Sequence, residues 1–294
     1  MQTGVRMREQ KKKKLKSAAF LSPSLLGLLV FFVLPFLVVI YYSMVDNPIS
    51  HQFVFLSNFI NVIQNQAFLQ ASKNTAMFSI IVVPLAVVLS LALAILIDSR
   101  IPFKSQFRTF FLCPMMVPVA SIVLIWQVLF HYNGAINGIL QNFGINPIDW
   151  LKSDYSQVVI VILFLWKNLG YDMILFMAAL GSIPKDLLEV TTLDSSSTLV
   201  QFFYIKLRFL SPTILFVTIL SLINSFKIFR EVYLLTGDYP YDTLYMLQNF
   251  MNNTFQSMDY QKLSAAAILM AIVMVIIIGL LFYTENKYGE DVEG

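Results

Sequence analysis

Six long apolar stretches limit what this chain can fold into. A helix needs about 20 mostly apolar residues to cross a bilayer, because each residue advances the helix by only about 1.5 Å. The stretches cover residues 18–45, 75–97, 109–130, 158–180, 209–235 and 263–284, and only the fourth and fifth contain charged residues. The sequence therefore predicts an all-α integral membrane protein with six transmembrane helices.

The composition supports the same interpretation. Of the 294 residues 57% are hydrophobic and 13% are charged, whereas soluble domains carry about 25% charged residues. Cys113 is the single cysteine, so an intramolecular disulfide and a cysteine-rich metal site are excluded. The two histidines, His51 and His131, are far apart and make a poor metal site. No nucleic-acid partner is expected, since the one dense basic run, residues 11–16, adjoins an apolar stretch.

The basic residues predict the orientation of the chain. Seven Lys or Arg residues precede the first stretch, three lie between the second and third, and three lie between the fourth and fifth. The other three loops between stretches hold one each. Because basic residues accumulate on the cytoplasmic side, both termini are predicted to be cytoplasmic. The domains are then a basic cytoplasmic segment (1–17), a six-span domain (18–284) with a cytoplasmic loop (182–208), and a cytoplasmic tail (285–294).

The sequence of the cytoplasmic loop predicts two short helices with a turn between them. Pro184 suits the first position of one helix and Asp186 its first turn. Residues 194–197 (DSSS) favour a turn, and Ser197 can cap a second helix over residues 198–207. Such a rigid element can dock against a soluble partner or lie on lipid headgroups. The residues alone leave both alternatives open.

This loop resembles the signature loop of the integral membrane subunits of bacterial ABC importers, "E-A-A-x-x-D-G-A" followed by an aromatic–proline tail. Val190 and Thr191 replace the two alanines and Ser195 replaces the glycine. The runs "FRTFFLCPMMVPVASIVLIWQVLF" and "FREVYLLTGDYPYDTLYMLQNFMNNTF" resemble the carbohydrate branch of that family, the maltose and multiple-sugar permeases. The residues matched to the ATPase-coupling pattern are Glu189, Val190, Thr191, Asp194, Ser195, Ser196, Phe203 and Pro212.

The resemblance implies a type I ABC importer permease of a bacterial cytoplasmic membrane. Such a chain forms the translocation path with a second permease, a different chain in family precedent. Each permease inserts its loop, as a coupling helix, into a cleft on one of two cytoplasmic ATPase subunits. An extracellular solute-binding protein delivers a sugar or oligosaccharide. ATP and magnesium belong to the ATPase, so this chain is expected to bind no cofactor and to be no enzyme. The alternatives are a permease for another polar solute, such as glycerol phosphate, and an ATP-independent secondary transporter.

Polar residues inside the fourth and fifth stretches are candidates for the substrate path, because polar groups at membrane depth tend to mark function. Lys227 and Glu231 are four residues apart and can pair on one helix face. The alternative is that these groups form internal ion pairs or reach towards the interface. With the aromatic candidates, the set is Trp166, Lys167, Tyr171, Asp172, Asn224, Lys227, Arg230, Glu231 and Tyr245. Pro35, Pro84, Pro114 and Pro118 predict bends or hinges within the spans.

Overall fold

The computed structural model describes residue 16 and residues 19–98, 102–184 and 202–289. Over these residues the fold is helical, and its only β structure is an isolated bridge between Val45 and Phe53. The helices are α1 (Ala19–Ser43), α2 (Ser57–Gln64), α3 (Gln66–Asp98), α4 (Lys104–Met116), α5 (Val119–Phe130), α6 (Ala135–Asn142), α7 (Ser156–Gly181), α8 (Leu207–Phe209), α9 (Ser211–Phe226), α10 (Phe229–Thr236), α11 (Leu247–Gln256) and α12 (Tyr260–Gly289).

The prediction of six spans is confirmed for the part of the chain that is described. Six helical segments there are long and apolar enough to cross a membrane. Their bounds are Ala19–Ser43, Gln66–Asp98, Val119–Asn142, Ser156–Gly181, Ser211–Thr236 and Tyr260–Lys287. The second segment begins at Gln66 rather than at residue 75, so α3 extends well beyond the apolar stretch that predicted it.

The third span, predicted over residues 109–130 with bends or hinges at Pro114 and Pro118, is interrupted at Pro118, and its bounds differ from the predicted ones. The backbone is extended at Val117 (ψ 134°) and at Pro118 (ψ 136°), so α4 ends at Met116 and α5 begins at Val119. Proline lacks a backbone N–H and disfavours the helical conformation of the residue before it. Pro84 and Pro114, by contrast, lie inside helices. The third candidate span therefore begins at Val119 and continues through α6.

The cytoplasmic loop is described only at its two ends. The predicted coupling residues from Glu189 to Ser196 lie outside the described residues. Phe203 is exposed in a π-helical turn, Phe202–Lys206, which runs into α8. Pro212 occupies the first turn of α9, a position where its missing N–H costs no helical hydrogen bond.

The chain divides into two compact units, one of residues 1–64 and 254–271 and the other of residues 65–253 and 272–294. In the first unit, a turn after α1 is organised by one carboxylate. Asp46 accepts hydrogen bonds from the Ser50 hydroxyl (2.6 Å) and from the backbone N–H groups of Asn47 (2.7 Å) and Gln52 (3.0 Å). The Ser50 hydroxyl, with help from these N–H groups, holds the pKa of Asp46 below its usual value.

In the second unit, α7 packs against α3, α4 and α9. Two clusters of buried apolar side chains lie along α7. One is shared with α3 and α5, and the other is shared with α3 and α9. Phe78 of α3 and Phe164 of α7 meet edge to face, with ring centroids 5.8 Å apart. This packing fixes the faces of α7 and α9 on which polar side chains can meet.

The loop after α10 is fastened to two of these helices. Asn74 of α3 donates to the carbonyl oxygens of Asp242 (2.6 Å) and Tyr245 (2.9 Å). Gln157, at the start of α7, donates to the carbonyl of Thr243 (3.1 Å). The loop is thus held by side-chain amides that donate to its backbone carbonyls.

Candidate functional site: a polar cavity beside the fourth and fifth spans

A cavity of about 480 Å³ opens within the second unit, where α7 faces α9 and α10. We call it the polar cavity. Six of the nine residues predicted for the substrate path line it. The complete lining is Met115, Val119, Phe164, Lys167, Asn168, Tyr171, Leu220, Asn224, Lys227, Ile228, Arg230 and Glu231.

An ion pair joins the two sides of the polar cavity. The Lys167 ammonium of α7 donates to the Glu231 carboxylate of α10. The Glu231 side chain is only 5% exposed and that of Lys167 is 26% exposed. Because a carboxylate shielded in this way requires a compensating charge, Lys167 is its natural partner.

This pairing differs from the one that the spacing allowed. Lys227 and Glu231 do not lie on one continuous helix, because α9 ends at Phe226 and α10 begins at Phe229. Among the described residues, neither Lys227 nor Arg230 forms an ion pair. Both side chains are exposed where they line the cavity.

The helix break at Lys227 and Ile228 is itself part of the site. The Lys227 N–H bonds to the Asn224 carbonyl (3.0 Å), which closes the last turn of α9. Lys227 and Ile228 both keep right-handed helical dihedral angles, so the interruption is a tight turn, and such an interruption of a membrane helix is tolerated where it lines a cavity. Here both residues of the break contribute to the lining.

Two side-chain hydrogen bonds tie α7 to α9. The Asn224 amide donates to the Asn168 side-chain oxygen (3.3 Å), and the Ser221 hydroxyl donates to the Asp172 carboxylate (3.2 Å). Asp172 is 1% exposed and is not part of the lining. Its contact with Ser221 holds the helices together beside the cavity.

The other two predicted residues also lie apart from the lining. Trp166 packs against Trp126, with ring centroids 6.2 Å apart. Tyr245 belongs to the loop held by Asn74, and burial raises the pKa of its phenol. The structure thus brings together the charged and amide candidates and leaves two of the three aromatic ones outside.

Gly170 was missed by the sequence analysis. It is buried on α7, where the backbone of α4 passes so closely that a Cβ atom would lie 1.9 Å from the Phe111 carbonyl oxygen. Small residues allow membrane helices to approach in this way. A glycine among large apolar residues is a signal, but it does not say which helix lies opposite. Asn168 and the apolar lining residues were likewise not predicted as part of the site.

The side chains of the polar cavity are suited to binding a polar solute. Its walls offer amides, a phenol, a neutralised ion pair and two cations, which can hydrogen-bond the hydroxyl, carboxylate or phosphate groups of a solute. Within the described ranges, no group of three His, Cys, Asp or Glu side chains is placed to hold a metal ion.

Comparison with known proteins adds relatives that match most of the chain. A trehalose/maltose transport system permease of Thermococcus litoralis is 29% identical over 274 residues, which are 92% of each chain. A lactose transport system permease of Rhizobium radiobacter is 28% identical, covering 91% of this chain and 93% of that protein. An sn-glycerol-3-phosphate transport system permease of Yersinia enterocolitica is 30% identical over 88% of both.

Solved structures share the fold. A chain of a bacterial ABC transporter involved in the import of the acidic polysaccharide alginate superposes with a TM-score of 0.85, covering 96% of this chain at 20% identity. A second structure of a bacterial alginate ABC transporter, in complex with a periplasmic protein that carries an alginate pentasaccharide, superposes equally well. The family model described as "binding-protein-dependent transport system inner membrane component" matches residues 86–288. The chain therefore belongs to this family of multi-pass ABC importer permeases.

Proposed function

We propose that this permease moves a sugar or oligosaccharide through the polar cavity. The observation that carries the proposal is the meeting of polar side chains from α7, α9 and α10 around one space within the fourth and fifth candidate spans. Polar groups are unfavourable there and persist where they serve transport. The names of the Thermococcus and Rhizobium relatives, which specify trehalose/maltose and lactose, support the sugar class.

The proposed assembly follows the family. A second permease completes the path, two cytoplasmic ATPase subunits bind ATP and magnesium, and an extracellular binding protein delivers the solute. The basic residues before α1 and in the loop 182–208 support cytoplasmic termini. That loop, with Glu189 and Asp194, would then contact an ATPase subunit.

The helix break allows α9 and α10 to move relative to one another beside the proposed path. The backbone at Lys227 and Ile228 carries no continuous helix, so α10 can change its angle to α9 without breaking a run of helical hydrogen bonds. The ion pair between Lys167 and Glu231 ties α10 to α7 in the arrangement seen here. A change between inward- and outward-facing states would act on this contact.

A second candidate substrate is a phosphorylated polyol of the glycerol phosphate type. The Yersinia relative supports it, since its name specifies sn-glycerol-3-phosphate and its match covers 88% of both chains. Transport of either substrate would use the same polar cavity.

The test is uptake by cells that express the complete complex with Asn224→Ala. Four labelled probes are offered to the wild type: maltose, lactose, digalacturonate and glycerol 3-phosphate. The assay then uses a probe that the wild type accumulates. Loss of one hydrogen bond to the solute should reduce uptake about two- to tenfold. Asn142→Ala is the matched control, because Asn142 is exposed at the end of α6 and does not line the cavity.

Co-purification of the partner subunits must show that both variants assemble. Unchanged uptake by a fully assembled Asn224→Ala complex would mean that the polar cavity is not on the path.

A further inference from the structure

The polar cavity carries an excess of positive charge. Its ionisable lining residues, apart from the phenol of Tyr171, are Lys167, Lys227, Arg230 and Glu231. Lys167 and Glu231 neutralise one another as an ion pair. Lys227 and Arg230 remain, and neither has an acidic partner in the described part of the chain.

The position of Arg230 is unfavourable for a purely structural cation. Arg230 lies in the first turn of α10. The positive end of the helix dipole is there, so an arginine is destabilising at this position. Arg230 also lies within the fifth candidate span, where a charged side chain carries a further cost. An anion in the cavity would offset both.

The free donors of the cavity outnumber its free acceptors. One oxygen of its carboxylate, Glu231, is engaged by Lys167, and the side-chain oxygen of Asn168 accepts from Asn224. Lys227 and Arg230 add up to eight N–H donors in total, three from an ammonium and five from a guanidinium. A ligand that matches this lining must supply acceptors, and a carboxylate or phosphate supplies them with the complementary charge.

We infer that the polar cavity selects an anionic solute, a saccharide or polyol that bears a carboxylate or phosphate group, and that Lys227 and Arg230 determine this selectivity. The inference rests on the proposed function, in which the solute passes through this cavity. A neutral sugar would leave both cations without a counter-charge while it occupied the site. An acidic sugar satisfies them on entry.

The experiment measures equilibrium binding to the purified complete complex by calorimetry at low ionic strength, without the binding protein. Digalacturonate is compared with its neutral methyl ester, and glycerol 3-phosphate is compared with glycerol. Each pair differs in charge and keeps the same carbon skeleton. The first pair tests a carboxylate ligand and the second a phosphate ligand.

The wild type should bind at least one anionic probe roughly tenfold or more tightly than its neutral counterpart, the effect of one charge-assisted hydrogen bond. Lys227→Gln and Arg230→Gln should each reduce that preference by a similar factor, because each weakens binding of the anionic probe more than binding of the neutral one. Lys227→Arg and Arg230→Lys should retain most of the preference. Lys152→Gln is the charge-matched control, since Lys152 is exposed in the loop before α7 and outside the cavity.

Four results would count against the inference. Equal binding of the charged and the neutral member in both pairs would exclude charge selection. A preference retained by both glutamine variants would mean that another group, such as a carboxylate of the second permease, neutralises these cations. Binding of neutral probes alone would remove the inference and leave the proposed function intact, whereas no binding of any probe would count against both.

Discussion

Replacement of Gly170 by alanine tests the packing that shapes the polar cavity. In the structure, an added Cβ atom would lie 1.9 Å from the Phe111 carbonyl oxygen and 2.4 Å from its carbonyl carbon. A carbon and a carbonyl oxygen in contact normally stay about 3.3 Å or more apart. Helices α7 and α4 would therefore have to separate locally by roughly 1.4 Å, which is the difference between the two distances.

The size of the expected stability loss follows from the rigidity of the two contacting groups, the new Cβ atom and the Phe111 backbone. The obstacle is main chain, so no side-chain rotation can relieve it. Inserting one methyl group into a well-packed interior costs typically about 1–3 kcal/mol. The gain in helix propensity from glycine to alanine, up to about 1 kcal/mol, offsets part of this. We expect a net loss of stability, with a displaced α7 that also shifts Lys167 and Tyr171 at the cavity.

The assay is the apparent melting temperature of the purified protein, measured from loss of its monodisperse peak after heating. Gly279→Ala is the matched control, because Gly279 also lies in a membrane helix and a Cβ there would meet no atom within 4 Å. Gly170→Ala should melt below the wild type and Gly279→Ala at or above it. Phe111→Ala should not rescue Gly170→Ala, since the clash involves the backbone.

A Gly170→Ala protein that melts at or above the wild type would refute this reasoning. It would mean that α4 and α7 are not in close contact at Gly170.

Three further outcomes are expected. In a double-mutant cycle, Glu231→Gln and Lys167→Met should each lower stability by less than the roughly 3–5 kcal/mol of a fully buried pair, because the lysine side chain is 26% exposed. The double variant should lose less than the sum of the two, and strict additivity in melting experiments would argue against the ion pair. Hydroxyl and backbone hydrogen bonds keep the pKa of Asp46 below its ordinary 3.8, so the carboxylate stabilises its turn above that pH and loses this effect as the pH falls through the lowered value. The amide hydrogen-exchange rate of the turn, corrected for intrinsic rates, should rise below about pH 4 in the wild type. The same pH dependence in an Asp46→Asn variant would exclude this carboxylate as the cause. Glu189→Ala with Asp194→Ala should release the ATPase from the tagged complex while the second permease still co-purifies; retention of the ATPase at wild-type stoichiometry would contradict the coupling role.

The break between α4 and α5 shows how far a local pattern can be trusted. Residues 109–130 are uncharged throughout, and they were assigned to one span with bends or hinges at Pro114 and Pro118. The structure ends α4 at Met116 because Pro118 restricts the residue before it. The proline was visible in the sequence, but the similar Pro114 is accommodated within a helix. Which proline interrupts the backbone depends on the neighbouring helices that compensate for it.

The polar cavity shows a second limit of prediction from the sequence. Its charged residues could be selected from the sequence because charge is rare within apolar spans and costly at membrane depth. The partner of Glu231 could not be selected, since it is Lys167 on another helix rather than Lys227 nearby in sequence. The apolar lining residues, such as Met115 and Leu220, carry no signal that separates them from side chains facing lipid.

The sequence by itself determined the number of spans, their approximate positions and the family, because apolar length and the ordered motifs are local properties of the chain. The tertiary structure alone decided which faces meet, including the approach of Gly170 to Phe111 and the ion pair across the cavity. The physical reason is that spans in a membrane are apolar on nearly every side. A helix then lacks the amphipathic pattern that shows which face is interior, and only the packing of distant helices assigns its contacts.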